Sequence, residues 1–538
     1  MLIAPRRLLG AAAGLMLLAP LAPATATASA PHRTHHPAPV HRMTHGQAIA
    51  ALHRARGLTD GHSDEAAAPG RGVDATPVFR DLALALPSLD GPERSTASRL
   101  LARPTDEGGD DLGSDAVVQL DPTRVTTVDD PDGHFSVHYI AGTPDPAHRL
   151  DDSSSTTWVN DNVLPALDRA WSTEVDTLGY HAPLADTGDG TKGNPDDKLD
   201  VYLANLGQYG LYGYCTTADP VPATLTDPAY CVIDNDFAEF GAHPLDAMHA
   251  TVAHEFFHAV QFSYDLGEDL WFMEGTAAWM EHQVYPGSRD YLQYLDGTAL
   301  AHPYYPVDLA DGYDEYGAFL FWQYVSERLG QKAVRDVWTN AAATNTGNRY
   351  SLQALRGIVS AHRQNFTSFF ATFARWNTLP PHSYSLRSAY AARTKPRWGL
   401  VHTFSRAHPR LSARQTELLH LSSSNVLFRP SAKLGRRARL HVSLNLPNRS
   451  HGPAASVGVR HRNGSVSWRW VRLRRNGAGA ATVSFNPRKV RGVLLVLSNT
   501  SSAMHGCGTA TDNWYVYSCL GTGVYDNNQV YRISARLR

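Results

Sequence analysis

The stretch Asp246-Ala-Met-His-Ala-Thr-Val-Ala-His-Glu-Phe-Phe-His-Ala-Val-Gln-Phe262 constrains the fold more than any other part of the chain. It holds no Pro or Gly and is apolar on nearly every side. That pattern predicts a buried helix with Asp246 as its N-cap. Polar groups inside such a helix are costly unless something receives them. His254 and His258 stand at i and i+4, one above the other on one face, close enough to share one ion. Glu255 is offset by one residue, so it is no third ligand of that face. It is placed to act as general base on a metal-activated water.

The next segment, Trp271-Phe-Met-Glu-Gly-Thr-Ala-Ala-Trp-Met-Glu281, predicts a second helix that brings a carboxylate early. Two imidazoles, one carboxylate and a fourth position left to water make up the usual catalytic zinc site. Glu274 is therefore the third-ligand candidate. Glu281 lies seven residues further on, on nearly the same face, where it could orient a ligating histidine through its other ring nitrogen. A stabiliser for a developing oxyanion is sought further on. The segment Gly312-Tyr-Asp-Glu-Tyr-Gly-Ala-Phe-Leu-Phe321 opens another helix, and of Tyr313 and Tyr316 the second is preferred; a rim or core tyrosine is the plainer reading.

Together, His254-Glu-Phe-Phe-His258 and Trp271-Phe-Met-Glu-Gly275 resemble the gluzincin metallopeptidases. Closest in motif are the aminopeptidase-like branch and secreted bacterial proteins regarded as metalloproteases. The resemblance covers roughly residues 130–330. It implies a zincin-like fold, zinc on His254, His258 and Glu274, Glu255 as base and proton shuttle, a tyrosine such as Tyr316 at the oxyanion, and a protein or peptide substrate. The spacer before Glu274 is shorter than in the best-known gluzincins, which implies a tight inter-helix loop. The Gly-x-Met-Glu-Asn signature that anchors a free amino terminus is missing, which leaves an endopeptidase or an unusual specificity.

The rest of the chain frames this site. At 538 residues it is too long for one ordinary domain. Residues 1–30 read as a secretory signal peptide: Arg6 and Arg7, an apolar run Leu8–Leu21 too short for a membrane span, then small residues. No later stretch is long and apolar enough to cross a bilayer, so the expectation is a secreted, extracellular protein. In an oxidising compartment four cysteines in two local pairs predict disulfides Cys215–Cys231 and Cys507–Cys519. Residues 31–115 read as low in order, either a propeptide or a linker. Residues 116–398 are expected to form the α+β catalytic domain, with strands near His134–Ile140, Leu199–Leu203 and Tyr230–Ile233. Pro165 marks the first turn of a helix over 156–178, or a kink in it. Residues 399–538 are expected to form an all-β sandwich.

Charge divides along the same boundary. Residues 386–538 carry 25 Lys and Arg against 3 Asp and Glu, leaving 24 and 48 in residues 1–385. A segment near +22 is attracted to polyanions, and an anionic cell-surface polymer is the preferred partner, since no dedicated nucleic-acid motif is present. Docking onto the acidic half is the competing reading. Asp186, Asp189, Asp196, Asp197 and Asp200 form an acidic loop that could hold calcium, although it lacks the EF-hand pattern. Two functions stay open: a secreted zinc peptidase, and a non-catalytic surface or polyanion-binding protein with a structural zinc site. Glu255 favours the first, because a structural site has no use for a base.

Overall fold

In the computed structural model the described residues are 43–59, 72–106, 118–143, 152–185, 197–218, 224–241, 243–343, 349–386, 389–390, 397–504, 516–519 and 526–538. The signal-peptide reading therefore falls outside them. The architecture is α+β, as expected, with a β-rich C-terminal region. Among the described residues no helix is long and apolar enough to cross a membrane.

The stretch 31–115 carries more structure than its composition predicts. It contains α1 (His45–Thr59), β1 (Val73–Asp74), α2 (Thr76–Ala85) and α3 (Gly91–Leu100). β1, α2 and α3 are short, and α1 has little amphipathic pattern of its own. Burial supplies the stability that periodicity does not advertise: Ala48, Leu52, Ala55, Phe79, Leu82 and Ala83 all lie in the main core.

That core is organised by a mixed seven-stranded sheet, in the order β1–β6–β7–β5–β3–β2, with a short β4 beside β3. The strands are β2 (Val125–Asp129), β3 (Phe135–Ala141), β4 (Ser153–Ser154), β5 (Leu199–Ala204), β6 (Leu211–Thr217) and β7 (Ala229–Asp234). β5, β6 and β7 are buried along their whole length, which explains their near-continuous apolar sequences. Cys215 faces Cys231 across the β6–β7 ladder, and the two form a disulfide. Cys519 is also disulfide-bonded; Cys507 lies outside the described residues.

Helical structure runs from Thr156 to Thr177: α4 (Thr156–Trp158), a stretch of wider i→i+5 turns, α5 (Leu164–Trp171), and a second such stretch. Pro165 falls in the first turn of α5, within a helical run that begins earlier. The wide turns just before it absorb the missing N–H and the ring.

The remaining helices are α6 (Pro244–Phe262), α7 (Leu270–Val284), α8 (Asp314–Gly317), α9 (Phe319–Leu329), α10 (Lys332–Ala341), α11 (Ser351–Ala361), α12 (Phe366–Trp376) and α13 (Pro380–Ser383). In α6 the cap position belongs to His243, not Asp246. Pro244, pre-set for a first helical position, starts the helix three residues earlier than expected. Asp246 sits in the first turn, where a carboxylate suits the positive end of the helix dipole.

The C-terminal region is a two-sheet sandwich. One sheet runs β13–β12–β15–β10–β8 and the other β14–β11–β16–β9. Its strands are β8 (Leu400–Phe404), β9 (Arg410–Leu418), β10 (Ser422–Pro430), β11 (Arg439–Asn445), β12 (Pro453–His461), β13 (Val466–Trp470), β14 (Ala478–Ser484), β15 (Val490–Asn499) and β16 (Gln529–Leu537). Leu440, Val442 and Leu444 of β11 alternate inward against Tyr531 and Ile533 of β16, forming a second core. β15 is buried on both faces because α12 packs on its outer side.

The join to the helical half is mostly backbone hydrogen bonding and packing. Val307 N–H donates to the Leu421 carbonyl at 3.1 Å and Ala310 N–H to the Val516 carbonyl at 2.9 Å. Arg375 lies over the Trp470 ring at 4.4 Å. Among the described residues one buried ion pair crosses the join, His420 Nε2 to Asp308 Oδ1 at 2.7 Å. Among the described residues no Lys or Arg of β8–β16 pairs with a carboxylate.

Candidate metal centre

Helix α6 lays His254, Glu255 and His258 against β6 and β7, and α7 crosses beside it. The connection between them, Ser263–Asp269, is short and tied: Gly267 N–H donates to Asp265 Oδ1 at 2.8 Å. Gly275 lets α7 approach α9, since a Cβ there would lie 3.0 Å from the Trp322 ring and 2.8 Å from the Cβ of Ala318, which caps that helix. This close packing delivers Glu274, fully buried, to the two histidines.

His254 Nε2 lies 3.2 Å from Glu274 Oε2, and His258 Nε2 lies 3.5 Å from the same oxygen. The two imidazole rings are 4.9 Å apart. A fourth group, not foreseen from the sequence, joins them. Asp74 of β1 places Oδ2 3.4 Å from His258 Nε2 and 3.8 Å from His254 Nε2. Asp74, His254, His258 and Glu274 are all buried, and their ligand atoms lie within 4.8 Å of one another.

These spacings suit a metal ion. Donors about 2.0–2.1 Å from a tetrahedral ion stand about 3.3 Å from each other, close to the 3.2, 3.4 and 3.5 Å found, with the His254–Asp74 separation longer at 3.8 Å. His258 Nε2 and Asp74 Oδ2, which face each other in the cluster, make no hydrogen bond although buried, as expected of atoms aimed at an ion. The outward ring nitrogens are held as ligating histidines require. His254 Nδ1 meets Glu281 Oε1 at 2.9 Å. His258 Nδ1 meets Gln261 Oε1 at 2.8 Å, and Gln261 donates in turn to the Met273 carbonyl at 2.9 Å. Gln261 went unnoticed in the sequence, although it sits one turn after His258.

The electrostatics follow from burial and crowding. Burial alone would raise the Asp74 carboxyl, but the facing imidazoles of His254 and His258 hold it well below the carboxylate range. Burial would lower His258, yet Glu274 and Asp74 outweigh it and push it up to about 10. His254 is raised likewise by Asp74, Glu274 and Glu281 against its own burial. Burial lifts Glu281 to about 7, with His254 opposing. Two carboxylates facing two imidazoles form a donor set that a divalent cation can neutralise in place of protons.

Glu255 is buried beside this cluster. Its Oε2 accepts from Thr76 Oγ1 at 3.0 Å. Burial first, and the Asp74 charge second, raise its pKa well above the usual value. Gly213 of β6 makes room for it, since a Cβ there would come within 3.0 Å of the Glu255 Cγ. Tyr316 is buried, its ring 6.1 Å from that of His254 and stacked on Tyr294 at 4.9 Å. Burial, then Glu274, raises its hydroxyl above the ordinary range. Tyr313 is 37% exposed and donates its hydroxyl to the Gln293 carbonyl, away from the cluster.

The calcium expectation finds little here. Asp186, Asp189 and Asp196 lie outside the described residues and Asp197 is exposed. Asp200 is buried and engaged by Arg103 and by His138 at 2.9 Å, so it is not a free ligand.

Residues 134–380 match a family of unknown function (DUF6055). No curated protein matches the chain. The matched stretch is thus similar to a family that carries no assigned activity, and it includes His254, Glu255, His258, Glu274, Glu281 and Tyr316 but not Asp74.

Proposed function

We propose that this protein is a secreted zinc-dependent peptidase, with zinc held by His254, His258 and Glu274. The observation that carries the reading is a buried carboxylate, Glu255, adjoining a metal-competent cluster without being one of its ligands. A structural ion needs only ligands; a hydrolytic one needs a base. Zinc bound there would polarise a peptide carbonyl and make a water acidic enough to attack near neutral pH. Glu255 would take the proton from the attacking water and return it to the leaving amine. Tyr316 would donate a hydrogen bond to the carbonyl oxygen as negative charge develops on it. Glu281 and Gln261 fix the rings of His254 and His258 so that Nε2 of each faces inward.

The Cys215–Cys231 disulfide supports an exported protein. The unpaired Arg-rich sandwich supports contact with an anionic cell-surface polymer.

A second reading is favoured by one observation: Asp74 brings the set to four protein donors, the number typical of a structural zinc site. Two measurements separate the readings, zinc content and digestion of a peptide library by the full chain. On the peptidase reading Glu255→Gln keeps the zinc and loses the digestion. Retained digestion in Glu255→Gln, or no digestion by a zinc-loaded chain either with Asp74 or with Asp74→Ala, rejects it.

A further inference from the structure

We infer that the N-terminal segment around β1 is a latch: Asp74 closes the coordination position that water needs, and residues 73–76 fill the edge of β6 where an extended peptide substrate binds. The inference rests on the peptidase reading above and adds its regulation and its mode of substrate binding.

Three contacts carry it. Asp74 is divided between two tasks. Its Oδ1 accepts from Thr76 N–H at 2.8 Å, which fixes the side chain, while Oδ2 is aimed at the two histidines with no hydrogen bond of its own. Two residues later, Thr76 Oγ1 donates to Glu255 Oε2 at 3.0 Å and accepts from Cys215 N–H at 2.8 Å. One short segment therefore occupies both the ion's remaining position and the base. A catalytic zinc keeps three protein ligands and one open position. Four donors together with an engaged base describe a closed form of such a site.

The third contact is backbone. β1 runs parallel to β6, with Val73 N–H on the Gly210 carbonyl at 2.9 Å and Ala75 N–H on the Gly213 carbonyl at 3.0 Å. When the segment withdraws, β6 becomes the outer strand of its sheet, and its carbonyls at 210 and 213 and the Cys215 N–H lose these partners. Those groups lie alongside Glu255, whose Cγ nearly touches Gly213. An unpaired strand edge receives an extended peptide by adding it as a further strand, which would set the peptide beside the base. The position of Asp74 fits the same division. His254, Glu255, His258 and Glu274 fall within residues 134–380, whereas Asp74 lies upstream of that stretch.

The test uses the full chain, loaded with Co²⁺ so that visible absorption reports coordination, and titrated with acetohydroxamate as a small metal-binding probe. The intact chain should take up cobalt and show little change with the probe. Asp74→Ala should also take up cobalt, with a different spectrum, and bind the probe about tenfold more tightly or better, as removal of a closed state requires. Asp74→Asn keeps the shape of the side chain and guards against misfolding of the alanine variant; it should behave like Asp74→Ala. Equal probe affinity for the intact chain and either variant overturns the latch while leaving the metal centre standing. Loss of cobalt from both variants, with the fold kept by circular dichroism, makes Asp74 a permanent ligand and also overturns it. Failure of the intact chain to bind cobalt at all sinks the metal centre itself, and the latch with it.

Discussion

Replacing Glu281 tests whether the centre is built as a metal site or is merely a cluster of polar side chains. Its Oε1 lies 2.9 Å from His254 Nδ1, and the residue is only 2% exposed, so no water is at hand to take its place. Losing such an outer partner typically costs about 10–100-fold in metal affinity, or about 1.4–2.7 kcal/mol. Glu281→Gln keeps the shape and an acceptor oxygen but removes the charge, so it belongs near the lower figure. Glu281→Ala also strands the His254 ring N–H and belongs near the upper one. Gln261→Ala, acting on His258 through a 2.8 Å contact, should fall between them. The assay is competition for zinc against a chromogenic chelator with the full chain near neutral pH, with circular dichroism as a control on folding. If all three variants keep zinc affinity within about twofold of the parent, these side chains do not orient ligands, and the resemblance to a metal site is accidental.

Other expectations can be checked independently. Tyr316→Phe should lower turnover while leaving zinc content and KM nearly unchanged, because the lost hydrogen bond is made mainly in the transition state; a rise in KM alone would make it a binding residue. Asp308→Asn should destabilise the join between the halves by about 3–5 kcal/mol, the usual cost of stranding one member of a buried pair. Burial would lower His420, but Asp308 raises it, so that contribution is full below about pH 6.5 and fades as pH rises through the elevated value. Asp308 is lowered by His420 despite its burial, so its contribution is present above about pH 3.9 and lost on acidification. The gap in urea midpoint between parent and Asp308→Asn should therefore be widest near about pH 5 and narrow towards alkaline pH; a gap that grows there contradicts the assignment. Arg472, Arg474 and Arg475 are exposed on the sandwich, and changing all three to Gln should lower the salt needed to elute the chain from an anionic cell-wall polymer. Unchanged elution would remove that face from any polyanion site.

The sequence exposed the parts of the centre that are encoded locally. His254, Glu255 and His258 share one helix, and helical spacing alone puts the imidazoles on one face. Glu274 and Glu281 share the next helix, seven residues apart, so both could be placed by period. Gln261 was equally near, but a glutamine in a buried helix gives no signal until its partner is seen. Asp74 could not be found this way. It sits far upstream in a stretch with weak periodicity, and it reaches the centre only through the non-local pairing of β1 with β6. β6 itself is obscured by Gly213, a poor strand former that the close approach of Glu255 makes necessary. In the sandwich, alternating strands such as β11 were easy to read. β15 gives a continuous apolar run because α12 covers its second face, and that cover is not visible in the strand's own residues.

The most direct test of the central claim compares casein hydrolysis by the full chain and by Asp74→Ala, each with Glu255 intact and with Glu255→Gln, while bound zinc is quantified. Close to one zinc per chain is expected throughout, with hydrolysis chiefly by Asp74→Ala and a fall of about 10²–10⁴-fold when Glu255 becomes Gln, the typical worth of a general base. Full zinc with no hydrolysis by either form carrying Glu255, or hydrolysis untouched by Glu255→Gln, would contradict the claim.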